Sequence, residues 1–116
     1  MTEMVHKVTL SSGKIVYLKD MDTGKEELAF QAASTKTDKE TMIAYYATSE
    51  LVKILLAGYQ LNADSEIKRP NATEIELIDS ILTYAENKQV KEVIGKMMGE
   101  VSNTKPTVEI VNFGNL

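Results

Sequence analysis

Cysteine is absent from the chain, so it can form no disulfide framework, thiolate metal site or thiol nucleophile, and it suits a reducing compartment. Histidine occurs once, as His6. One imidazole cannot make a His-rich zinc site, and any nucleophile–base–orienter arrangement would rest on that ring alone. Proline occurs twice and aromatics make up 6% of residues, while helix formers are common, which favours a helix-rich fold over a sandwich of many turns. No stretch approaches the roughly 18 apolar residues of a membrane span, and the opening MTEMVHKV has no basic segment leading into an apolar run. The expectation is a soluble, intracellular chain with no membrane role. Blocks of one charge sign are missing too: 13 Lys and Arg against 17 Asp and Glu give a net charge of −4 and are interspersed. That is not the electrostatic footprint of a nucleic-acid binder.

What is present fits one domain over residues 1–116, with 43% hydrophobic residues for one modest core. Residues 1–20 read as a β-hairpin. Val5, Val8 and Leu10 precede Ser11-Ser12-Gly13-Lys14, and Ile15 to Leu18 follow, with Val16 and Leu18 on one face and Ile15 and Tyr17 on the other. A lone hairpin is marginal, so at least one face needs a cover.

Residues 22–101 read as helical, with about four helices. Asp22 or Thr23 caps the first, over Thr23 to Ala33, with Glu26 and Glu27 near its positive end. Thr37 with Glu40 forms a capping-box pattern ahead of a long apolar run to Tyr59. That run is apolar nearly all round, as in a central helix or one used at an interface. Residues 60 to 72 are polar and contain Arg69-Pro70, which predicts a loop. Asn71 with Glu74, or Thr73 with Glu76, caps a third helix carrying Ile75, Ile78, Leu82 and Ala85. After a break near Asn87, Val90, Val93, Ile94, Met97, Met98 and Val101 give the cleanest amphipathic signal, ending near Gly99. Residues 102–116 read as an extended segment, which either adds a third strand to the hairpin or extends to meet another subunit. The expected class is α+β, mainly helical.

The stretch TLSSGKIVYLKDMDTGKEE looks most like chemistry, with two Gly-Lys pairs and clustered acids. A phosphate loop needs G-x-x-x-x-G-K-[ST] between a strand and a helix, and neither pair has it. Asp20, Asp22 and Gly24 hint at a calcium loop, but Gly is fifth where the sixth is required, and the twelfth residue is Gln31 rather than Glu. The stretch therefore reads as a turn and a capped helix start. No catalytic residue, metal ligand or cofactor is assigned.

The order of features carries a resemblance. Val8, Leu10, Gly13, Lys14, Val16 and Leu18 spell V-x-L-x-x-G-K-x-V-x-L, and Thr23 and Glu27 follow in a polar helix start. This opening, over about the first third of the chain, resembles the small tail assembly chaperones of long-tailed phages; a later ATEIELIDSIL fits loosely. The resemblance implies a non-enzymatic protein of the host cytoplasm that binds apolar helices of a tape measure protein and self-associates. Surplus apolar surface agrees with partner binding. The residues expected there are Tyr45, Leu56, Tyr59, Met97 and Met98, with Ile110 and Phe113 of the C-terminal segment. Two alternatives stand beside it. One is a permanent tail or baseplate subunit of the virion, joined to its neighbours by strand addition. The other is a small ligand-binding domain or enzyme using scattered carboxylates.

Overall fold

The computed structural model describes residues 4–97 and 107–115. Strands β1 (Met4–Thr9) and β2 (Ile15–Lys19) form the expected antiparallel hairpin, with Val8 opposite Val16 and His6 opposite Leu18. Its turn places Gly13 at φ +94°, a conformation that side-chain-bearing residues rarely adopt. Helix α1 (Thr23–Ser34) starts at Asp22, whose carboxylate accepts a hydrogen bond from the Lys25 amide at 2.8 Å. Only Ala29 and Ala33 of α1 are buried, and these small residues let it lie closely along the next helix.

That helix, α2 (Glu40–Leu55), departs from expectation at both ends. Lys39 is the N-cap and makes no side-chain capping bond; the Thr37 hydroxyl instead accepts from the Lys39 amide at 3.1 Å. At the other end the helix stops at Leu55, and the residues expected to carry it to Tyr59 form strand β3 (Leu56–Gln60). Leu56 is already extended, with φ −66° and ψ 112°. The physical reason is tertiary. β2 has a free edge, and β3 pairs with it antiparallel, satisfying backbone groups on both strands. Gly58 weakens the helical alternative locally.

A second correction concerns the third helix. Asn71 and Glu74 do form a reciprocal capping box, but α3 (Ala72–Glu76) lasts little more than one turn and gives way to a 3-10 turn at Ile78–Ser80. The break falls before Thr83 rather than near Asn87, because Thr83 and Glu86 make their own capping box for α4 (Tyr84–Met97). The Glu86 amide donates to Thr83 Oγ1 at 3.2 Å, and the Thr83 amide to Glu86 Oε1 at 2.8 Å. The expected helix end near Gly99 lies outside the described residues.

Strand β4 (Thr107–Asn112) joins the free edge of β1, and a 3-10 turn at Phe113–Asn115 follows. The fold is thus an α+β domain of four α-helices and a four-stranded antiparallel sheet ordered β3-β2-β1-β4. It is less helical than expected, since β3 falls inside the 22–101 segment. Helices cover one face of the sheet, burying Val8, Val16, Leu18 and Leu56 against Ala47, Leu51, Leu55, Val90 and Ile94. The other face is covered as well: Val5, Ile15 and Tyr17 pack with Phe113. β2 is consequently buried on both sides. Among the described residues no helix is long and apolar enough to cross a membrane.

Candidate functional site

The hairpin turn is tied to the start of α4. Ser12 Oγ donates to Glu86 Oε2 at 2.5 Å, Lys14 Nζ donates to Glu86 Oε1 at 2.9 Å, and Lys14 also reaches the Ile81 carbonyl. Alongside, the Ser11 amide donates to Gln89 Oε1 at 3.0 Å. Burial would raise the Glu86 carboxyl, but the Ser12 hydroxyl, the Thr83 amide and the Lys14 ammonium outweigh it and hold its pKa at about 2. A carboxylate so firmly ionised is a poor proton donor at neutral pH. Lys14 is committed to this clamp rather than to an external anion.

The acids of the same stretch are occupied in a similar way. Asp20 accepts from His6 Nε2 at 3.2 Å and from the Met21 amide at 3.0 Å, which lowers its carboxyl below the usual range. Asp22 caps α1, and the Lys25 amide and ammonium lower its carboxyl. His6 and Asp20 border a hollow of about 120 Å³ whose other walls are Met4, Val5 and Ile110, none of them a nucleophile. Among the described residues, no three His, Cys, Asp or Glu side chains stand close enough to hold a metal ion.

The residues expected at a partner surface are distributed unevenly. Tyr45, on α2, is 54% exposed, and Ile110, on β4, is 56% exposed at the far edge of the sheet. Leu56 is buried in the helix-side core, with Tyr59 and Met97 half-buried against it. Phe113 is buried on the opposite face, its ring 5.2 Å from that of Tyr17 and capped by the Arg69 guanidinium at 4.0 Å. Met98 lies outside the described residues. Of the expected residues described, Tyr45 and Ile110 are therefore the ones that face solvent, and the structure does not bring them together.

Tyr45 instead borders a cleft of about 520 Å³ between α2, the 3-10 turn and α4, a volume within the ordinary range for ligand pockets. Its apolar wall comes from Tyr46, Ile78 and Leu82, and Tyr84, 78% exposed, stands at its rim. The charged lining is mostly cationic: Lys36, Lys53, Lys88 and Lys91 against Asp79. Lys36 pairs with Glu50, and Lys53 lies 3.6 Å from Glu76 and 4.0 Å from Glu50. Lys88 and Lys91 lie instead over aromatic rings, 5.4 Å from the Tyr84 centroid and 4.5 Å from the Tyr45 centroid. Within the same lining Asn87 Oδ1 is buried and accepts no hydrogen bond among the described residues, at a typical cost of about 1–3 kcal/mol.

Tyr84, Lys88 and Lys91 are not among the residues expected from sequence, because they lie off the apolar stripe of α4 that carries its periodic signal. Their spacing of four and then three residues was a legible signal, since it puts them on one helix face. Asn87 could not be found that way, because its burial depends on where α2 lies. Comparison of the chain with family models, with curated proteins and with solved structures finds no match.

Proposed function

We propose that the chain is a non-catalytic protein-binding domain, a phage-type tail assembly factor that holds apolar helices of a tape measure protein in the cleft between α2 and α4. The observation that carries this reading is the cleft itself: Tyr45 and Tyr84 stand exposed beside an apolar wall of Tyr46, Ile78 and Leu82. Exposed aromatic rings beside a concave apolar wall are the usual anchors for an amphipathic helix laid in a groove. Further support comes from the hairpin grammar of Val8 to Leu18, which the phage chaperones share. The commitment of Lys14, Glu86, Asp20 and Asp22 to internal partners argues in the same direction, since it leaves those groups to the fold.

The test is co-expression with the tape measure protein of the phage or prophage that carries the gene. Wild-type chain is expected to keep that protein in the supernatant and to co-purify with it. The pair Tyr45→Ala and Tyr84→Ala should reduce recovery by about tenfold, as hot-spot aromatics do, with an unchanged circular dichroism spectrum. A tape measure protein equally insoluble with and without the chain contradicts the proposal.

The outer edge of β4 favours the second reading, a permanent tail or baseplate subunit, because among the described residues no strand pairs with it and Val108 and Ile110 are exposed. Such an edge is a ready template for strand addition. The chain's presence in purified particles at fixed stoichiometry would decide for this reading.

A further inference from the structure

We infer that the α2/α4 cleft selects an acidic segment of its protein partner, with an apolar side chain seated between Tyr45 and Tyr84 and carboxylates meeting Lys88 and Lys91. The inference rests on the protein-binding reading and adds the charge that the bound segment carries.

Two observations on separate groups converge on that chemistry. First, the chain has a net charge of −4, yet this cleft gathers four lysines against three carboxylates, Asp79 in its lining and Glu50 and Glu76 beside Lys36 and Lys53. An acidic partner is disfavoured over most of the molecule and favoured here, which is how charge fixes register between two proteins. Second, the four lysines are not equivalent. Glu50 and Glu76 already neutralise Lys36 and Lys53. Lys88 and Lys91 have ring faces as their neighbours and no ion pair among the described residues. A carboxylate placed at those ammoniums would gain a charge-assisted hydrogen bond without displacing an ion-pair partner among the described residues.

Two synthetic amphipathic peptides test this against the full chain. Both carry Leu at helical spacing; one has Glu and the other Lys at the remaining positions, and binding is read by fluorescence anisotropy. The Glu peptide is expected to bind at least about tenfold more tightly than the Lys peptide, and to weaken as salt rises from about 50 to 300 mM, because rim charges are screened. Lys88→Glu with Lys91→Glu should abolish the preference. Lys19→Glu, which changes one charge on an exposed strand residue outside the cleft, should leave it intact. Chemical-shift mapping with the Glu peptide should move the Lys88 and Lys91 backbone amides.

Equal binding of the two peptides overturns the inference. So does a preference that survives the double reversal, or tighter binding of a short oligothymidylate than of the Glu peptide. If the tape measure protein co-purifies while the peptides bind equally, the charge selection fails and protein binding stands. If the Glu peptide binds through Lys88 and Lys91 while co-purification fails, the acidic cleft stands and the phage partner is wrong.

Discussion

Glu86 and Gly58 show how single positions hold this fold. Glu86 is 4% exposed and gathers Ser12, Lys14 and Thr83 on one carboxylate, so it joins the hairpin turn to α4. Its pKa of about 2 in the folded chain lies below the 4.5 of an unperturbed glutamate. A depressed carboxyl stabilises the fold above the unfolded value and loses that contribution as pH falls through the folded value. Stability should therefore drop between about pH 4.5 and 2, by on the order of 3 kcal/mol. Glu86→Gln should remove most of that acid sensitivity and cost a similar amount at pH 7, because it leaves Lys14 half-buried without its counter-charge. Urea unfolding at several pH values measures both.

Gly58 fails differently. A Cβ there would stand 2.9 Å from Phe113 Cζ and 3.0 Å from the Lys68 carbonyl oxygen. Gly58→Ala should destabilise by about 1–3 kcal/mol, as overpacking does. Adding Phe113→Leu should return part of the loss if the Phe113 contact is the cause. The SSGK turn was readable from Gly13 and its serines. The clamp on Glu86 was not, since it joins residues more than 70 apart in sequence.

Among the elements, those defined by local chemistry were legible. The hairpin follows from alternation around a Gly turn, and α1 from Asp22 at its N-cap. α4 follows from apolar steps of three and four. β3 was not legible, because LLAGYQ continues the apolar run of α2 and becomes a strand only where it meets the free edge of β2. The width of the apolar band on α2 has a similar origin. Ala47, Leu51, Val52 and Leu55 are buried, and Ile43, Tyr46 and Ile54 pack against the same core, so most of that band serves the interior. Met42 and Tyr45 remain exposed.

The same view predicts how β4 is held. Its pairing with β1 is backed by Val111 and Phe113 on the outer face, and Tyr17 and Arg69 enclose the Phe113 ring. Phe113→Ala should cost about 3–5 kcal/mol. Hydrogen exchange of the Val108–Asn112 amides should accelerate before that of α2 and α4. Loss of protection throughout the chain at once would mean that the sheet unfolds as a single unit.

For the whole molecule, Ser12, Lys14, Asp20 and Asp22 near the start of the chain are tied into the fold, while Lys88 and Lys91 lie together in the lining of the α2/α4 cleft. Sequence reasoning reached one member of that cleft, Tyr45, because it sits on an over-wide apolar helix. It could not reach the cleft, which exists only once the 3-10 turn at Ile78–Ser80 and the start of α4 fold beside α2. The most direct measurement of the central claim is a hydrogen-exchange footprint of the chain bound to the tape measure protein. The account predicts protection over residues 45–53 and 84–91, weakened by Tyr45→Ala with Tyr84→Ala. Protection confined to 107–112, or none, would contradict it.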